Sequence, residues 1–105
     1  MNAHVPSSMP SSEKIIFKLQ RLSEEIKKDY LVHEIGLFGS IVRGEGTDSS
    51  DIDILVSFSQ TPDLFTFIRL EQYLTKTFGR KVDLVLKDSL KPHIGEYILS
   101  EVVYA

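Results

Sequence analysis

The sequence predicts one α+β domain, a small mixed β-sheet of three core strands flanked by helices. Three observations point there. The chain has 105 residues, 42% apolar and 26% charged, which suits one buried core and is too short for two. Its hydrophobic period switches between helical spacing and short β-branched runs, in the order helix, strand, loop, strand, helix, strand, helix. The loop between the first two strands allows antiparallel pairing, whereas a helix joins the second strand to the third, which suggests a parallel pair.

Residues 1–11 are rich in Ser and Pro and are expected to form a flexible tail, with the domain spanning 12–105. Ser12 is the expected N-cap of the first helix, with Glu13 in its first turn, where the helix dipole favours negative charge. Ile15, Ile16, Leu19, Leu22, Ile26 and Tyr30 then recur at helical spacing, and the mixed charges between them form a solvated face.

The first strand is predicted over 34–39, short, apolar and ended by Gly39. Residues 40–50 carry glycines, serines and acidic groups and read as a loop, with one helical turn at 40–43. The second strand is predicted over 51–58. Thr61, Pro62 and Asp63 open a second helix whose apolar face is Leu64, Phe67, Ile68, Leu70 and Leu74, and Gly79 suits its C-terminal cap. A third strand is predicted over 81–86. The last helix starts around 89–92 with Pro92 in its first turn, and its apolar side is Ile94, Ile98, Leu99 and Val102.

Composition removes several functions. Without cysteine there is no disulfide scaffold, thiolate metal site or cysteine nucleophile, and the absence suits a cytoplasmic protein. Twelve basic against 15 acidic residues give a formal charge of −3, so nucleic acid is not an expected partner. No apolar stretch approaches the roughly 20 residues that span a bilayer, and no signal peptide is expected. The chain lacks both the P-loop and the Gly-x-Gly-x-x-Gly pattern, and Ile52 and Ile54 interrupt any EF-hand ligand series. His4, His33 and His93 share no metal-ligand spacing and read as surface or capping residues. Ser49 and Ser50 read as turn residues, and Lys87 and Lys91 as solvated.

The anomaly lies in the second and third strands. Asp51 and Asp53, two apart, point to one face of a strand, while Ile52, Ile54 and Val56 point to the other. Asp83 sits between Val82 and Leu84 in the third. If these strands are neighbours in suitable register, three carboxylates converge at one end of the sheet. Ionised carboxylates so placed repel one another and call for a compensating cation. With hard oxygen ligands only, that cation is Mg²⁺, expected as a pair of ions. Two such ions roughly 4 Å apart clamp the attacking and leaving oxygens of a phosphoryl or nucleotidyl transfer.

Upstream, Gly39-Ser40 is followed by ten residues and then Asp51-Ile52-Asp53. At ordinary residue frequencies that string arises by chance in about one in a thousand chains of this length. Glycine lets the backbone approach a phosphate closely, the Ser40 hydroxyl and nearby N–H groups donate to phosphate oxygens, and Arg43 adds a planar positive fork.

These residues resemble the polymerase-beta-type nucleotidyltransferase superfamily, whose pattern is Gly-Ser, about ten residues, Asp-x-Asp and a third Asp on a later strand. Gly39, Ser40, Asp51, Asp53 and Asp83 match it over a region of roughly 12–105. The small size, the 39–44 loop and the 90–104 ending look most like the minimal nucleotidyltransferases, a group that includes the MntA-like antitoxins of MNT/HEPN toxin–antitoxin pairs. The resemblance implies that Asp51 and Asp53 hold Mg²⁺ and the nucleoside triphosphate. Asp83 would complete the metal site and help activate the acceptor hydroxyl. Gly39 and Ser40, assisted by Arg43, would bind the distal phosphates. It implies transfer of AMP from ATP, or of another nucleotide from its NTP, to a hydroxyl, a tyrosine of a HEPN-type toxin in the antitoxin subgroup. Larger members of the superfamily carry a further helical domain, whereas only a short segment follows Asp83. A partner is therefore expected to complete the site, with the apolar residues 98–104 either at its interface or docked on the sheet. Two alternatives remain: a binding module that neutralises a partner by occlusion, and transfer to a small molecule or RNA.

Overall fold

A computed structural model describes residues 11–47 and 49–105. The tail reading of 1–10, with His4, and the loop position of Asp48 lie outside the described residues. The first helix, α1, runs Ser11–Tyr30. Ser11 and Ser12 are both helical, so Ser12 is not its cap and the helix takes in the last residue expected in the tail. Ile15, Leu19 and Ile26 are its buried stripe, and Ile16, Leu22 and Tyr30 pack beside it.

Strand β1 spans Val32–Phe38 and β2 spans Ile52–Phe58. They pair antiparallel, with Leu37 opposite Ile54 and Phe38 opposite Asp53. Helix α2 follows over Leu64–Phe78, capped by Asp63, whose side chain accepts from the Thr66 N–H, and closed by Gly79 in the left-handed region at φ 65°. Strand β3, Val82–Leu86, runs parallel to β2. A single 3₁₀ turn, Lys87–Ser89, leads to helix α3, Pro92–Glu101, with Pro92 in its first turn. The two pairings agree with the sequence reading.

The sheet has one strand more than expected. Val103–Tyr104 forms β4 on the far side of β1, which gives the order β3-β2-β1-β4. Gly36 pairs with Tyr104 and Leu37 with Val103, and the Ala105 N–H donates to the Ile35 carbonyl at 2.9 Å. The apolar chain end therefore docks on the sheet edge while the Val103 and Tyr104 side chains stay exposed.

Alternation along the strands sorts their side chains onto two faces. Ile35, Leu37, Ile52, Ile54, Val56, Val82 and Leu84 meet α1 and α2 to form the core, together with Leu70 and Leu74. Leu64 and Ile68, expected on the buried face of α2, are exposed. Leu64 sits in the first turn, and Ile68 lies well off the stripe set by Leu70 and Leu74 at about 100° per residue. The opposite face carries Gly36, Phe38, Asp53, Leu55, Asp83 and Val85. It is covered only in part, because Ile94 and Leu99 of α3 are exposed and a groove separates the helix from the strands. Among the described residues no helix is long and apolar enough to cross a membrane.

Candidate active site

The parallel register sets Asp53 directly beside Asp83. Neighbours in register share a face, so both carboxylates enter one groove of about 450 Å³ between the sheet and α3. Asp51 stands one residue before β2 and adds its charge to the same end. Its Oδ2 lies 3.7 Å from Lys81 Nζ, with both side chains open to solvent. So loose a contact does not close the site.

Burial, then the charges of Asp83 and Asp51, hold the Asp53 carboxyl above its ordinary value. Among the described residues no three His, Cys, Asp or Glu side chains form a ready-made metal cage. The donors nevertheless suit Mg²⁺, which keeps several waters and takes one or two carboxylates together with substrate phosphates rather than a closed protein cage. A half-buried carboxylate beset by like charges is also what a bound cation would relieve.

Gly39 leaves β1 at φ 86°, and a Cβ built there would fall on the Asp53 carboxylate. Only glycine lets the chain bend against that side chain. Where the sequence predicts one helical turn, residues 40–44 make a hydrogen-bonded turn: Val42 and Arg43 N–H donate to the Gly39 carbonyl at 3.1 and 3.3 Å, and Glu45 N–H donates to the Ser40 carbonyl at 2.9 Å. Ser40 lies in the groove beside Asp53 and Asp83. Further along, Ser50 Oγ accepts from the Thr47 N–H at 2.8 Å, a turn role. Gly39, Ser40, Arg43, Asp53 and Asp83 thus line one groove, and Asp51 stands at its edge.

Two participants escaped the sequence reading. Glu101, from the last turn of α3, accepts from the Gly39 N–H at 2.6 Å and from Arg43 Nη1 at 3.0 and 3.1 Å. Arg43 also donates through Nε to Glu45 at 2.9 Å. Arg80 donates through Nη2 to the Thr47 and Ser50 carbonyls and ties the loop to the end of α2. A carboxylate at a helix C-terminus opposes the helix dipole, which was the legible sign of Glu101; nothing marked Arg80. Lys87, expected to be solvated, instead donates to Glu34 at 3.0 Å, and the Ser57 hydroxyl donates to the same oxygen at 3.2 Å. His33 and His93 are both exposed.

Chemically, the groove offers carboxylates for a cation, a glycine–serine bend and a guanidinium for anionic oxygens, and an open side for an acceptor. A family model described as a nucleotidyltransferase domain matches residues 19–105. Protein adenylyltransferase MntA of Thermococcus cleftensis is 47% identical over 97 residues, covering 92% of this chain and 98% of that protein. Among solved structures, one described as a candidate minimal nucleotidyltransferase has a TM-score of 0.75 at 28% identity, covering 93% of this chain and 98% of the other. A toxin–antitoxin crystal structure with AMP-PNP has a TM-score of 0.67 at 26% identity, covering 81% of this chain and 70% of that one.

Proposed function

The chain belongs to the nucleotidyltransferase domain family, and from that premise we propose that it transfers AMP from ATP to a hydroxyl, a tyrosine by preference, of a HEPN-type toxin and so acts as its antitoxin. The observation that carries this reading is the pairing of Asp53 with Asp83 against the Gly39–Ser40 bend. The Thermococcus relative named as a protein adenylyltransferase supports the activity. The similar toxin–antitoxin structure with AMP-PNP supports the class of partner and of donor.

In this reading Asp51 and Asp53, joined by Asp83, hold Mg²⁺. Bound there, the metal neutralises triphosphate charge and polarises the reacting phosphate. Ser40, on the Gly39 bend, binds the distal phosphates, with Arg43 as the cationic fork. The acceptor oxygen attacks the α-phosphorus, and its proton passes to the Asp83 carboxylate. The bond from the α-phosphorus to the bridging oxygen breaks, and pyrophosphate leaves. The groove is open on one side, so a partner that presents the acceptor also excludes water from it.

The test is the intact mass of the HEPN partner after incubation with this chain, ATP and Mg²⁺. The expected result is a gain of one adenylyl group per modified hydroxyl. The Asp51→Asn/Asp53→Asn variant should bind the partner yet leave its mass unchanged. No gain from a wild-type complex that has formed would sink the proposal, and full neutralisation by the double variant would favour occlusion.

A further inference from the structure

We propose that Glu101 is a positioning residue for the triphosphate, acting through Arg43 and the Gly39 peptide. This rests on the reading of the groove as a nucleoside triphosphate site and adds to it a residue outside the carboxylate trio and the glycine–serine bend.

Glu101 breaks a local rule. It places a negative charge in the last turn of α3, where the dipole is already negative and no basic residue lies in the turn. Its side chain is only 13% exposed, so it is not simply solvated. Its compensation lies across the groove: Oε2 accepts from the Gly39 N–H at 2.6 Å, and both oxygens accept from Arg43 Nη1 at 3.0 and 3.1 Å.

Those bonds fix two donors at once. Arg43 is held at Nε by Glu45, at Nη1 by Glu101, and has the Tyr97 ring 6.0 Å from its guanidinium carbon. Nη2 alone makes no hydrogen bond among the described residues. Arg43 lines the groove that contains Asp53 and Asp83, so that free edge of the fork is the part left for a phosphate oxygen. A free arginine surrenders several rotamers when it binds an anion, whereas one clamped in advance surrenders few. The bond to Gly39 also holds the bend where it passes the Asp53 carboxylate. Because Glu101 directly precedes the cap residue Val102 and strand β4, the pairing of β4 with β1 sets where this carboxylate stands.

The experiment is calorimetric titration of the full chain with Mg-ATP and, separately, with AMP, for wild type, Glu101→Ala, Glu101→Gln, Arg43→Ala and the Arg43→Ala/Glu101→Ala double variant. Glu101→Ala should raise the Kd for Mg-ATP about tenfold, the value of one charge-assisted contact, with AMP affinity unchanged. The double variant should be weaker than Arg43→Ala by less than the loss caused by Glu101→Ala alone, since the Arg43 contact is removed by either change and only the Gly39 contact is left to lose. Glu101→Gln keeps the shape and one acceptor oxygen and should fall between wild type and Glu101→Ala, so it carries the test if the alanine variant does not fold. In the transfer reaction KM for ATP should rise with kcat little changed. Unchanged Mg-ATP affinity, parallel loss of ATP and AMP, or additive effects in the double variant would overturn the proposal. Tighter Mg-ATP binding on loss of Glu101 would overturn it too, because the carboxylate would then be a competitor in the phosphate seat. If wild type fails to bind Mg-ATP at all, the reading of the groove as a triphosphate site falls, and this inference falls with it.

Discussion

Gly39 couples two motifs through one backbone angle. Its positive φ brings the chain against Asp53, so the glycine–serine bend and the carboxylate pair are a single packed unit. Gly39→Ala adds a left-handed strain of about 1–2 kcal/mol and pushes on that carboxylate. Thermal melting should report the loss of stability, and adenylyl transfer should fall about a hundredfold. Asp53 itself stands in an environment that disfavours its charge. Its folded-state pKa is raised, by burial first and then by Asp83 and Asp51. The native state therefore binds this proton more tightly than the unfolded chain does, and stability declines as pH rises through the window above the ordinary value of about 3.9. Without Mg²⁺, Asp53→Asn should melt higher than wild type at pH 7. The difference should vanish below about pH 4, where both side chains are neutral, while transfer activity is lost at every pH. Melting curves across pH check this, and a variant less stable than wild type at pH 7 would contradict it. Asp51, Asp53 and Asp83 stood out in the sequence because carboxylates interrupt strands that are otherwise apolar. Glu101 left only the weaker sign of a carboxylate at a helix end, because its partners Gly39 and Arg43 are some sixty residues away in the chain and only folding brings them together.

At the scale of elements, strands and helices with strong periodicity were legible, and their ends followed local chemistry: Asp63 and Gly79 cap α2 as their residue types require. Strand β4 was not legible. Two residues carry no period, and Val102 continues the apolar spacing of α3, so Val103–Tyr104 read as part of the chain end after that helix. What admits the strand is Gly36, at which a Cβ would stand 2.8 Å from both Val102 Cγ2 and the Val103 carbonyl oxygen. Gly36→Ala should therefore push β4 off the sheet edge at a cost of about 1–3 kcal/mol. Urea unfolding measures that loss, and faster exchange of the Ala105 N–H, bonded to the Ile35 carbonyl, localises it. Full protection of that amide in the variant would contradict this placement of the strand. Leu64 and Ile68 went the other way. They belong to a plausible apolar stripe in the sequence, but α2 turns a narrower face to the sheet.

On the scale of the whole molecule, the described residues fill 38 × 34 × 19 Å with a radius of gyration of 13.4 Å, close to the roughly 13 Å of a folded 100-residue domain. One face of the sheet is sealed by α1 and α2, and the other is left as the groove. This asymmetry explains how so short a chain affords a site: the core side supplies stability, and the uncovered side supplies chemistry. Pairing directions were legible because connection lengths dictate them. The width of the groove was not, since it depends on how far α3 stands from the strands. The most direct measurement is a crystal structure of the chain with Mg²⁺ and a non-hydrolysable ATP analogue. A cation should be bonded to Asp51 and Asp53, with Asp83 beside it and the distal phosphates along Gly39 and Ser40. A nucleotide seated away from the three aspartates, or a cation bound elsewhere with these carboxylates unligated, would contradict it.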